Sequence, residues 1–263
     1  MKGLKASAIY GLITVLTGIT AESSQWVLLS AGLSLFIPAL LLISIRENTL
    51  LALLTSVTSL GILALYSLRA PFEVLPFQVI GVLLSRWYKK PELSLLIATV
   101  ILFSAAVVEE LLLGLPPEVK DFPFYVYRWG VYFFTALLFS EATYGIALLT
   151  IRKGEIFLKI NFGFWPVPLF LVLGALSLIP DLPYRELIIN GLIATLSLFA
   201  GQGIPIMLYL INRVSPLIRL IILITVVIFP LGFLTAAVIL GFLDNWLNFR
   251  KLNEGGEDGS NST

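Results

Sequence analysis

A glutamate in the middle of an apolar run is the residue best placed to do chemistry in this chain. Glu141 stands in "LLFSEATYGIALL", midway along an apolar run over 129–151. A carboxylate at the centre of a bilayer costs about 2.5–3.5 kcal/mol on insertion scales, so it must face protein or water, or carry a proton. Ser140, Thr143 and Tyr144 are its polar neighbours. Tyr144 lies three residues on and shares its helical face. Such a group can bind a cation, donate a hydrogen bond when protonated, or close a contact between helices; the sequence leaves these readings open.

Polar residues in other apolar runs extend the set. In 187–212, "LIINGLIATLSLFAGQGIPIMLYLIN", helical spacing puts Asn190, Ala194, Ser197 and Gly201 on one stripe, which suits close helix packing with an Asn bonding across it. Gln202, between Gly201 and Gly203 and ahead of Pro205, marks a place where a helix can bend or unwind. Irregular backbone at membrane depth is tolerated where it is buried or lines a cavity. Glu141, Tyr144, Asn190 and Gln202 are therefore the candidate ligand-binding residues. The last apolar run closes on "ILGFLDNWLNFRK". If the helix continues, Asp244, Asn248 and Lys251 form one polar stripe opposite Leu243, Trp246 and Leu247; alternatively Asp244 caps the start of a short interfacial helix. Trp246 suits the headgroup level and Arg250 can snorkel. Asp244, Trp246 and Arg250 are the candidate interfacial or partner-docking residues.

Much chemistry is excluded. The chain has no Cys and no His, so thiol redox chemistry, Ser–His and Cys–His hydrolysis, His-ligated zinc and haem–His sites are all ruled out. No Gly-x-x-x-x-Gly-Lys-Ser/Thr loop is present, so no nucleotide is hydrolysed through one. The pair Glu109–Glu110 resembles the Glu-Glu pattern of intramembrane prenyl endopeptidases, but those enzymes also use histidines. The pair reads better as an acidic helix end at the membrane surface. No metal or other cofactor and no enzyme activity are expected. Nucleic acid is not an expected partner, because no basic face could be spared for phosphates.

The elements that must position these residues are helices in a membrane. Of the 263 residues, 58% are hydrophobic and 13% charged, and the mean hydropathy is +0.98. One soluble core cannot hide that excess. Apolar runs fall at 4–20, 26–45, 49–68, 74–88, 93–115, 129–151, 163–180, 187–212 and 217–242. They are continuous rather than alternating, so the fold class is all-α, a polytopic transmembrane helical bundle of eight or nine membrane helices. The first run follows Lys2 and Lys5 without a small-x-small cleavage site, so it is expected to be retained. Lys and Arg collect in the loops facing the N-terminal side, which puts the N-terminus in the cytoplasm. Arg250 and Lys251 would prefer the same side, which needs an even number of crossings. The run 74–88 is the shortest and the first suspect for an incomplete one. The segment 116–134 is rich in interfacial aromatics, and 152–165 reads as an amphipathic stretch on the membrane surface. Residues 1–252 form the membrane domain; 253–263, "NEGGEDGSNST", is a polar tail expected to be disordered.

Three stretches together resemble a known family. "NFGFWPVPLFLV" (161–172), "INGLIATLSLFAGQGIPIMLYLINR" and "LGFLDNWLNFRKL" are similar in order and spacing to the C-terminal half of the YybS-like proteins, predicted bacterial inner-membrane proteins of unknown function. The general look is similar to the substrate-binding membrane subunits of energy-coupling-factor vitamin transporters. The resemblance implies a multi-pass protein of the bacterial inner membrane that binds a small molecule among its helices and borrows a coupling ATPase or other membrane subunits. A non-transport assembly factor acting through cell-envelope partners is the alternative.

Overall fold

The computed structural model describes residues 2–23, 25–114 and 125–249. No strand occurs among them. The helices are α1 (Lys2–Ala21), α2 (Val27–Ser34), α3 (Ile37–Glu47), α4 (Thr49–Tyr66), α5 (Ala70–Trp87), α6 (Pro91–Leu113), α7 (Arg128–Thr150), the single turn α8 (Gly154–Phe157), α9 (Pro166–Ser177), α10 (Arg185–Ile211), α11 (Pro216–Ile228) and α12 (Pro230–Leu247). Among the described residues seven helical stretches are long and apolar enough to cross a membrane, α2 and α3 counting together as one. The chain is thus an all-α multi-pass membrane protein.

Prolines set several of the boundaries. Pro91, Pro166, Pro216 and Pro230 each open a helix, where the missing N–H is harmless and the fixed φ is already helical. Pro230 also divides the apolar run 217–242, expected as one span. It cannot bond back into the preceding turn and pushes Phe229 out of the α region, to φ −131° and ψ 64°. The result is α11, of 13 residues, and α12, of 18. The run 163–180 likewise yields only the 12 residues of α9. At 1.5 Å per residue these two short helices reach about 18–20 Å, less than the hydrocarbon thickness.

The chain divides into two compact units: Met1–Arg128 with Thr135–Phe157, and Trp129–Phe134 with Leu158–Thr263. In the first, α1, α3, α4 and α5 close on a core of Tyr10, Ile37, Leu41, Ala52, Leu63, Val74 and Phe77. Buried polar contacts cross it too: the Tyr10 hydroxyl meets the Ser56 hydroxyl at 2.8 Å, and the Gln78 amide donates to the Ser59 hydroxyl at 3.3 Å. Helix α5 is longer than the run 74–88 suggested, because Ala70–Glu73 already belong to it. It is not one of the seven stretches long and apolar enough to cross, yet it is tied at both ends of the unit. Arg69 at its start pairs with Glu109 at the end of α6, 2.7 Å. Just beyond its far end, the Tyr88 ring lies under the Arg46 guanidinium from the end of α3, 5.2 Å.

The second unit is organised by α10 and α12. A Cβ at Gly203 would collide with the Ala237 carbonyl, and one at Gly241 with the Phe199 carbonyl. The two pairs, 199/203 and 237/241, are each four apart on their own helix, so the helices cross backbone to backbone. Around the crossing, Phe170, Phe199 and Phe242 meet edge to face at centroid distances of 5.2–5.8 Å.

The segment expected as an amphipathic surface stretch at 152–165 is mostly irregular. Its only helix is one turn, and Phe157, Ile160 and Phe162 are buried in protein rather than laid on a membrane. Of the aromatic segment 116–134, the part up to 124 lies outside the described residues, as do the tail 253–263, Arg250 and Lys251.

Candidate functional site

Helix α7 presents a broad buried face. Leu137, Ser140, Glu141, Tyr144, Ala147 and Leu148 recur at spacings of three and four, and all are at most 2% exposed. Tyr144 donates its hydroxyl to the Tyr88 carbonyl at 2.6 Å, and its ring lies 6.4 Å from that of Phe157. Gly145 lets Phe157 approach: a Cβ there would stand 3.2 Å from that ring. Tyr144 is thus engaged at the end of α7.

Glu141 is not engaged. It is 2% exposed, and neither carboxylate oxygen has a hydrogen-bond partner. The Ser140 and Thr143 hydroxyls beside it lack partners too. This departs from the habit of the rest of the molecule. Thr14, Thr17, Ser44, Thr55, Ser56, Thr99 and Thr195 all donate to the carbonyl four residues back, at 2.8–3.0 Å. That is the usual way for a hydroxyl to be satisfied inside an apolar helix. Around Glu141 the local solution is not taken, so one turn of α7 carries a carboxyl and two hydroxyls with unused hydrogen-bonding capacity. Chemically, such a set can accept from an ammonium or hydroxyl group, or donate from a protonated carboxyl.

The remaining expected ligand-binding residues belong to the second unit, and both have partners inside the chain. The Asn190 carbonyl oxygen accepts the backbone N–H of Gly130 at 2.6 Å, and its amide nitrogen donates to the Glu186 carbonyl at 2.8 Å. A Cβ at Gly130 would stand 2.7 Å from the Asn190 backbone oxygen, so this is a close helix contact fastened by an amide. Gln202 does not mark an unwound turn; α10 runs unbroken through it and through Pro205. Its side-chain oxygen accepts from the Phe162 backbone at 3.3 Å, and its nitrogen donates to Asp244 Oδ2 at 3.2 Å.

Asp244 is the residue most changed from the sequence reading. It is 6% exposed and belongs neither to a solvent-facing stripe nor to a helix start. Helix α12 stops at Leu247, Asn248 takes a left-handed conformation with φ 39°, and Asp244 Oδ1 accepts the Phe249 N–H at 2.8 Å. The carboxylate therefore closes the C-terminus of its own helix while holding Gln202 on α10. Trp246 is 55% exposed, as an interfacial anchor would be, with its ring edge-on to Phe164 at 5.7 Å and tilted against Phe242 at 4.9 Å. Phe162 and Phe164, Gln202, Asp244 and Trp246 come from the three stretches that carried the family resemblance, and those stretches meet at this one point.

Sequence reading overlooked how the acidic side chains gather. Arg69 lies 3.5 Å from Glu73 and 2.7 Å from Glu109; Arg128 pairs with Glu110 at 3.0 Å; the Ser67 hydroxyl donates to Glu22 at 2.6 Å. All sit at one end of the first unit. Lys5, Arg46, Arg86, Lys89, Lys90, Arg152 and Lys153 belong to helix ends at the other, where Gly3 meets Asn48 and Tyr144 meets Tyr88. One end is acidic and the other basic. The basic end is the one that the Lys and Arg excess had already marked; grouping the acidic residues by helix end would have revealed the other. Among the described residues no group of three or more acidic side chains is placed to hold a metal ion. No family model, curated protein or solved structure matches the chain.

Proposed function

We propose that this multi-pass protein is a small-molecule-binding membrane subunit of a transport system, with Glu141 as its principal ligand contact. One observation carries the reading: a carboxyl group 2% exposed, midway along a membrane helix, with both oxygens unpartnered. Evolution seldom keeps such a group in an apolar span without a use. The ligand would offer hydrogen-bond donors or a positive charge to Glu141, with Ser140 and Thr143 as secondary contacts. Tyr144 positions the end of α7 through Tyr88. Asn190 and Gln202, which have partners in the second unit, act as packing residues in this reading. The chain carries no nucleotide-hydrolysing loop, so a coupling ATPase or an ion gradient would supply any energy.

The membrane is the bacterial inner membrane, and the basic end of the first unit faces the cytoplasm by the excess of Lys and Arg there. That orientation is tested by labelling. The chain has no cysteine, so Arg152→Cys and Glu22→Cys can each be probed alone with an impermeant maleimide on intact cells. Only the second should react from outside.

The functional test is thermal unfolding of the purified protein over a panel of water-soluble vitamins, amines and metabolites. A saturable shift that disappears in Glu141→Gln supports the reading. No shift with any compound, together with normal growth of cells carrying Glu141→Gln, sinks it. A non-transport scaffold is favoured by a different observation: the exposed Trp246 at the end of α12, its ring packed against Phe242 and Phe164. Mild-detergent co-purification separates the two, since a coupling ATPase belongs to the first and a cell-envelope assembly protein to the second.

A further inference from the structure

We propose that the first unit holds a separate site for a small organic ammonium ion, between the Glu73 carboxylate and the rings of Phe77 and Phe139. These residues line a cavity of about 180 Å³ together with Ser30 and Ser34. The walls come from four helices, α1 contributing Ala21. Helix α2 gives Ser30 and Ser34, α5 gives Glu73 and Phe77, each pair four residues apart, and α7 gives Phe139.

The polar groups of the cavity are acceptors. The Ser30 and Ser34 hydroxyls spend their protons on the Thr17 and Ala31 carbonyls, at 3.1 and 2.8 Å, which leaves only oxygen lone pairs for a guest. Glu73 is loosely held. Its only ion pair among the described residues is with Arg69 at 3.5 Å, and Arg69 Nε makes no hydrogen bond among them. The guanidinium is drawn instead to Glu109 at 2.7 Å. Glu73 and Glu109 thus share one Arg69, and the carboxylate with the longer contact is the one that lines the cavity.

The apolar groups choose the kind of cation. The rings of Phe77 and Phe139 stand 6.5 Å apart at 58°, and phenyl faces attract ammonium groups within about 6 Å of their centroids. No cluster of three acidic residues is placed to hold a metal among the described residues, and two phenyl walls give a metal nothing to bind. The volume falls below the roughly 300–1,000 Å³ of drug-sized pockets. A small ammonium with methyl or aryl substituents therefore fits the lining in charge, size and surface.

The test uses the full-length protein in detergent and follows thermal unfolding with benzylammonium chloride and tetramethylammonium chloride. Benzyl alcohol and sodium chloride at matched concentration are the controls. Both ammonium salts are expected to give a saturable stabilisation that the controls lack. Glu73→Gln is expected to weaken it at least tenfold and Phe139→Leu at least threefold, while Glu141→Gln leaves it unchanged. An equal response to benzyl alcohol, no saturable response, or a response that survives Glu73→Gln overturns the site. A response that depends on Glu141 instead of Glu73 also overturns it while leaving the Glu141 reading standing. Should Glu73→Gln fail to fold, the comparison of ammonium with alcohol in the parent protein and in Phe139→Leu decides.

Discussion

Replacing Glu141 by methionine should make the empty protein more stable. The two side chains are similar in length and volume, so the packing of α7 is largely kept. What is removed is a pair of oxygens that are buried and without partners. Leaving a buried polar group unsatisfied costs about 1–3 kcal/mol, and replacing it by an apolar group of similar shape recovers that amount. Glu141→Met is therefore expected to stabilise by about 1–3 kcal/mol. In thermal unfolding this appears as a rise of about 2–4 °C per kcal/mol for a protein of this size. Glu141→Gln keeps a polar head with the same unmet needs and should stay within about 1 kcal/mol of the parent. The measurement is unfolding of all three proteins in one detergent, by heat and by added denaturing detergent, with circular dichroism as the readout. If methionine and glutamine both destabilise by more than about 1 kcal/mol, the carboxyl has a partner in the folded protein and its role is architectural. A stabilised variant that has also lost its ligand response would show stability given up for function at one residue.

Gln202→Leu removes a donor and an acceptor from the contact with Phe162 and Asp244 and leaves a buried carboxylate short of a partner; a loss of about 2–4 kcal/mol is expected, read by chemical unfolding. A double-mutant cycle of Gln202→Leu with Asp244→Asn should show coupling of about 1 kcal/mol or more; additive losses would show that the two side chains do not act together. Gly203→Ala or Gly241→Ala forces the α10–α12 crossing apart and should cost at least about 2 kcal/mol, with reduced yield of folded protein. Tyr144→Phe loses one hydrogen bond to the Tyr88 carbonyl, so a modest loss of about 1 kcal/mol is expected, with the ligand response retained.

The fold class was legible because apolar runs must become helices in lipid, whatever their neighbours. The failures came where a single residue outranked a run. Pro230 cut 217–242 in two, although "IFPLG" was there to be read. Glu141 was legible for the opposite reason: a charge in an apolar run is conspicuous, and its burial follows from the cost of exposing it to lipid. Gln202 and Asp244 were each noticed, but for separate roles. Their bond joins residues 42 apart on two helices, and nothing local announces a partner at that distance. The shared cue was a glycine near each, Gly203 and Gly241, since a polar pair can meet in an apolar bundle only where the backbones come close. The cavity at Glu73 was missed because its lining is drawn from helices α1, α2, α5 and α7, each unremarkable alone.

The crossing of α10 and α12 also limits how the second unit can move. With the Ala237 carbonyl seated at Gly203 and the Phe199 carbonyl at Gly241, sliding one helix along the other by a residue would drive a side chain into a peptide oxygen. Gln202 and Asp244 pin the same register a turn away. The pair can rotate or tilt as one stiff strut, but it cannot shear. Helix α9 is tied to the same crossing through Phe170, so the part of this unit outside the constraint is α11, bounded by Pro216 and Pro230 and exposed along most of its length.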